Sequence, residues 1–171
     1  MKNIYLFIIF LFLTGCGYNL TSNTKISDIS CPFILFGSDH KVYIDSSSKD
    51  ISLDNIEYQG ELNNAIFNKK CTREDNIFSS ELSILFILQP LVDKVNSVDM
   101  PFYIAILNQN KKLQDMLYFS VSGKFKKDLE TKKIIETEVT KTLILQHESI
   151  NEDSIIVIGF VLDKKRKEIL N

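Results

Sequence analysis

The stretch Ile77-Phe78-Ser79-Ser80-Glu81-Leu82-Ser83-Ile84-Leu85-Phe86-Ile87-Leu88, halted by Pro90, decides the fold. On a strand, side chains alternate between faces, so Ile84, Phe86 and Leu88 share one side and Leu85 and Ile87 the other. Similar short apolar runs recur on both flanks. Toward the N-terminus they are Phe33 to Phe36, His40 to Ile44, and Ile56 to Phe67, with a break expected near Gly60. Toward the C-terminus they are Phe102 to Leu107, Leu113 to Phe125, Ile135 to Leu145 and Ile155 to Leu162. Polar turns such as Gly37-Ser38-Asp39 and Asn108-Gln109-Asn110 separate them. No amphipathic helix of any length lies between the runs, and parallel strands would need such crossovers. The expectation is an all-β fold: an antiparallel β-sandwich, immunoglobulin-like in general plan, with about seven or eight strands. Lys164 to Leu170 reads as a short helix capped by Asp163. Lys124 to Ile134 is rich in Lys and Glu and fits either a helical turn or a long loop.

The first fifteen residues follow a different logic. Lys2 is their only charge, and Ile4 to Leu13 is an unbroken apolar run. Ten residues cover roughly half of a bilayer core, where a spanning helix needs about 20. The run fits the apolar core of a secretory signal. Leu13-Thr14-Gly15-Cys16 then resembles the lipobox of bacterial lipoproteins. That resemblance implies removal of residues 1–15 and a diacylglycerol and an amide-linked fatty acid such as palmitate on Cys16. The membrane would then be a partner through this lipid. Each buried methylene contributes about 0.8 kcal/mol, so several acyl chains would hold permanently. Gly17 stands where Asp favours inner-membrane retention among such lipoproteins, so the expected place is the outer membrane, facing the periplasm. Residues 16–30 read as a polar, lipidated tether and residues 31–171 as the sandwich domain.

Without Lys2 the chain carries 19 basic against 22 acidic residues, a net charge of −3. Nucleic acid would call for a basic surface, so none is expected as a partner. Besides Cys16 there are Cys31 and Cys71, an even pair for an oxidising compartment. They are expected to form a disulfide; the alternatives are two free thiols or a metal site. A metal site needs three or four suitably spaced ligands. The only histidines, His40 and His147, sit in no ligand motif, so no metal and no cofactor are expected.

Cys31-Pro32, the run Met100-Pro101-Phe102-Tyr103-Ile104-Ala105-Ile106 and the run Ile155-Ile156-Val157-Ile158-Gly159-Phe160-Val161-Leu162 are similar to a group of alphaproteobacterial lipoproteins. Phe102-Tyr103 stands where that group carries Tyr-Phe, and Val161 where it carries Gln. The resemblance spans most of residues 31–165 and implies an envelope location. It lends no catalytic residue.

Chemistry is sparse. Ser46-Ser47-Ser48 and Ser79-Ser80 lack the Gly-x-Ser-x-Gly elbow, and there is no calcium loop or glycine-rich phosphate cradle. Glu136 and Glu138 lie with Thr140 and Thr142 on what reads as a solvated outer face. Lys164-Lys165-Arg166-Lys167 reads as a solvated charge run, the alternative being contact with anionic lipid headgroups. The expected function is a non-enzymatic envelope lipoprotein that binds or supports another envelope component. Carriage of an apolar ligand, or an enzyme whose site forms no motif, are the alternatives. Several strands are apolar on both faces, which predicts an apolar outer surface that something must cover: the C-terminal segment around Ile169 and Leu170, the loop from Lys124 to Ile134, the tether, or else a protein partner or a second copy. If these strands are neighbours, Leu85, Ile87, Tyr103 and Leu107 are the candidate contact residues for an envelope protein partner or for self-association.

Overall fold

A computed structural model describes residues 26–46, 48 and 50–171. The signal peptide, Cys16 and most of the tether lie outside them. Among the described residues, twelve strands form two main sheets and a small hairpin. The strands are β1 (Ile26–Ile29), β2 (Phe33–Phe36), β3 (Val42–Asp45), β4 (Tyr58–Phe67), β5 (Cys71–Glu74) and β6 (Ile77–Pro90), followed by β7 (Ser97–Leu107), β8 (Leu113–Lys124), β9 (Lys126–Lys127), β10 (Ile134–Ile135), β11 (Thr137–His147) and β12 (Ile155–Phe160). Among the described residues there is one α-helix, α1 (Lys164–Leu170), and the Asp163 carboxylate accepts from Arg166 N at its first turn, 2.8 Å.

The first sheet is organised by β6. β5 and β4 lie end to end along one side of it, and β11 runs along the other. β1 flanks β5 and β3 flanks β4. The second sheet has the order β2-β12-β7-β8. All pairings are antiparallel except β2 with β12, which is parallel. The two sheets face each other across one core. Phe86 of the first meets Phe102 at 5.4 Å and Phe160 at 5.8 Å between ring centroids. Phe78, Leu82, Ile84 and Leu88 on one side, and Ile104, Ile106, Ile156 and Ile158 on the other, are fully buried. This is the expected β-sandwich. The strand count exceeds the expectation through four short segments, β1, β5, β9 and β10. β1 falls within the stretch read as tether, where Ile26 to Ile29 pair with Glu74 to Cys71.

Two local expectations need correction. β4 is not broken at Gly60; its irregularity is a bulge between Leu62 and Asn64. Gly60 serves close packing instead, because Met100 fills the space a Cβ would need. The Lys124–Ile134 segment contains no helix but the β9–β10 hairpin. Its turn is built by Asp128, whose carboxylate accepts from Thr131 N and Thr131 Oγ1 and from Glu130 N. Those bonds hold Asp128 below the usual carboxylate range, led by the one from Thr131 N. Short polar side chains that bond their own backbone favour such turns over helix.

Cys31, between β1 and β2, is joined to Cys71 at the start of β5, with Cα atoms 5.2 Å apart. The bond ties the segment that crosses from the first sheet to the second. The opposite flank is closed by His147 of β11, whose Nε2 lies 2.8 Å from Asp115 Oδ2 of β8. Ser149 N donates to Nδ1 of the same ring, so Nε2 carries the proton in the neutral tautomer. No helix among the described residues is long and apolar enough to cross a membrane.

Candidate binding face

Two features outside the core invite a functional reading. The first is a polar cluster where α1 meets β3. Arg166 Nη2 pairs with Asp45, Nη1 pairs with Asp163, and Nε donates to Ile44 O at 2.9 Å. The guanidinium also lies over the Tyr43 ring, 4.9 Å from its centroid. Both Tyr43 and Tyr58 donate to Asp45 Oδ2, at 3.4 and 3.2 Å. Arg166 thus leaves the charge run in which the sequence placed it and becomes the clamp that holds α1 on the first sheet. The run's alternation gave no sign of this, because the partner carboxylate lies 121 residues away. A surface cleft of about 650 Å³ adjoins the cluster, lined by Asp45, Tyr58, Val98, Asp99 and Lys124 among others. The buried polar side-chain atoms among the described residues all have partners.

Burial, and then the adjacent Asp45 charge, push the Tyr43 hydroxyl up to about 12 and raise Tyr58 further. The unfolded chain ionises both tyrosines near their ordinary value of 10.0, while the fold keeps them neutral. Their contribution is therefore complete below pH 10 and is lost as pH rises through the folded value. We expect alkaline unfolding to begin above pH 10 and to move to higher pH in Tyr58→Phe, followed by far-ultraviolet circular dichroism alongside phenolate absorbance. A midpoint identical in wild type and variant would contradict this account.

The second feature is the outer surface of the second sheet. The antiparallel registers put Leu107 beside Ile155, Ala105 beside Val157 and Tyr103 beside Gly159. On the next strand Tyr118 lies beside Tyr103 and Met116 beside Ala105. On the far edge Phe33 and Leu35 align with Ile155 and Val157. From Pro101 to Leu107 and from Ile155 to Val161, these outward positions carry no charge. Phe33 is 78% exposed, Tyr118 66%, Leu35 53% and Leu113 50%, far above what a core residue shows. Tyr103 bends over Gly159, where a Cβ would fall 2.5 Å from its hydroxyl, and its ring meets His40 edge-on at 5.5 Å. Glycine at 159 is what lets Tyr103 lie down and keep the centre of the face low.

The outer surface of the first sheet differs. Ser83 and Thr142 share a hydrogen bond of 2.7 Å, Asn68 donates to Ser83 Oγ at 2.6 Å, and Lys41 pairs with Glu61 at 3.1 Å. Leu85 lies between Asn64 and Thr140, and Ile87 between Glu61 and Glu138. The four residues singled out from the sequence therefore do not form one patch. Tyr103 and Leu107 belong to the apolar face, whereas Leu85 and Ile87 are half-buried among polar neighbours on the opposite side of the sandwich. The reason is topological: β7 and β12 are neighbours, but β6 belongs to the other sheet. Phe33, Leu35, Leu113 and Tyr118 were missed. Phe33-Ile34-Leu35-Phe36 did carry the signal, being apolar at four successive positions.

Among the described residues no cluster of three or more His, Cys, Asp or Glu could hold a metal ion. Comparison with protein-family models, with curated proteins and with solved structures found no match. The class that fold and surface define is a disulfide-tied β-sandwich with one polar and one apolar outer face.

Proposed function

We propose that this chain is a lipid-anchored envelope protein, held in the outer membrane by acyl chains on Cys16 and facing the periplasm, which works by binding another envelope component through the apolar face of its second sheet. The observation that carries the binding part is that uncharged face, four strands wide, with Phe33, Leu35 and Tyr118 half or more exposed. Soluble monomers rarely leave a contiguous apolar patch of more than a few hundred Å² open to water. Anchoring is supported by the lipobox resemblance at Leu13-Thr14-Gly15-Cys16 and by the disulfide, a bond that persists in oxidising compartments. Ile26 starts the first strand, so ten residue steps separate it from Cys16. An extended chain of that length reaches roughly 35 Å, which keeps the domain close to the bilayer.

The test is metabolic labelling with a fatty-acid analogue. Wild-type chain should carry label and run as the processed form, while Cys16→Ser should carry none and retain residues 1–15. Equal label on both would end the anchoring proposal.

A further inference from the structure

We infer that the β9–β10 hairpin docks on a bilayer that carries anionic phospholipid, with Leu129 entering the headgroup region and the flanking lysines meeting phosphates. Residues 124–136 hold Lys124, Lys126, Lys127, Lys132 and Lys133 against Asp128, Glu130 and Glu136, a net charge of +2. The chain from Cys16 onward is −3 in all, and so −5 outside this segment. The five lysines are exposed, and among the described residues Lys126, Lys127, Lys132 and Lys133 form no ion pair. Between the two lysine pairs sits Leu129, 84% exposed, the highest value for a large hydrophobic side chain among the described residues. Nothing in the turn calls for leucine, because the bonds that build it come from Asp128, Thr131 and the backbone. Asp128 N donates to Lys133 O at 2.9 Å and Lys132 N to Asp128 O at 3.0 Å, which brings the lysine pairs together behind the tip. At the base of the hairpin, Leu91 and Val92 share a surface hollow with Ile134 and extend the apolar surface.

The combination selects the occupant. An acidic protein or polymer would be met by lysines alone and gives no place to an exposed leucine at the tip. An apolar protein groove would take the leucine and gain nothing from four unpaired lysines. An anionic bilayer presents phosphate charge at its surface and acyl chains just beneath, so it rewards both. Each lysine near such a surface strengthens binding about fivefold. The turn is already held in shape by its own hydrogen bonds, so little order is lost on contact. The site is separate from the tether. Ile26 aligns with Glu74, which faces Ile77 at the start of β6, whereas Ile134 adjoins Pro90 at its end. The contact is made by the hairpin itself and requires no lipid on Cys16.

The chain contains no tryptophan, so Leu129→Trp in the full chain gives an emission that reports on this position alone. Vesicles of phosphatidylglycerol and phosphatidylcholine in equal parts are added. The expected result is a blue shift of the emission and protection from quenching by acrylamide, with no shift on phosphatidylcholine alone. Adding Lys126→Glu and Lys127→Glu should raise the vesicle concentration at half-maximal shift about tenfold or more. Ile144→Trp, at a position 71% exposed on the outer face of the first sheet, should give no shift. Glu130→Trp repeats the reading at the tip should circular dichroism show that Leu129→Trp fails to fold. Because the emission is local, a chain held on the vesicle elsewhere does not give the signal. No shift at the tip with anionic vesicles overturns the inference. So does an equal shift on phosphatidylcholine alone or at position 144. A shift as large with dextran sulfate in place of vesicles makes an acidic polymer the occupant and overturns it too.

Discussion

Cys31→Ser combined with Cys71→Ser is expected to lower the unfolding free energy by roughly 4 kcal/mol, the chain-entropy value for a closed loop of about 40 residues. Single domains are stable by only about 5–15 kcal/mol, so this loss takes a large part of the total. Cys71 is fully buried in the main core, so its serine replacement adds the cost of a buried hydroxyl. The effect should be strongest around β1 and β2, because the bond sits where the chain leaves one sheet and joins the other. Urea unfolding of wild type and variant, each followed by circular dichroism, measures it. A difference under about 1 kcal/mol would show that packing around β5 holds the crossing segment without the bond.

Phe86→Ala should cost about 3–5 kcal/mol, the range for deleting a buried aromatic ring. Phe86 is fully buried and touches Phe102 and Phe160, so its loss opens a void where the two sheets meet. The neighbouring change Leu85→Lys should cost about 1 kcal/mol, the centre of the distribution for point mutants. Leu85 points outward between Asn64 and Thr140, where a lysine can keep its stem on the sheet and its charge in water. Similar losses for the two variants would refute the strand register.

Residues 77–88 carried the division into two faces, but which face meets the core was an assumption until the two sheets were seen together. Alternation separated Ile84, Phe86 and Leu88 from Leu85 and Ile87, and the structure buries the first set completely. The sandwich, the short final helix and its Asp163 cap were legible for the same reason, since each depends on residues close in sequence. Which outward faces lie together was not legible. Pairing of β12 with both β2 and β7 is a long-range choice, and short apolar runs are nearly interchangeable until their neighbours are known. The same limit hid β1. Ile26-Ser27-Asp28-Ile29 is mostly polar in its surroundings and becomes a strand because Cys71 to Glu74 offers it an edge. Arg166 escaped notice because its carboxylate partner Asp45 sits on β3, at the other end of the chain.

The parallel pair of β2 and β12 sets the timetable of folding. Phe33 aligns with Ile155, so the second sheet lacks the strand that joins its edge to its middle until almost the whole chain has been synthesised. β7 and β8 can zip as a hairpin earlier, but β2 has nothing to pair with in its own sheet until residue 160 has left the ribosome. Contacts between such distant residues incur loop-closure entropy first and are rewarded late, so the domain belongs with the slow-folding, non-local topologies. A nascent chain cannot finish this fold during synthesis, so β2 leaves the ribosome more than a hundred residues before its partner strand exists.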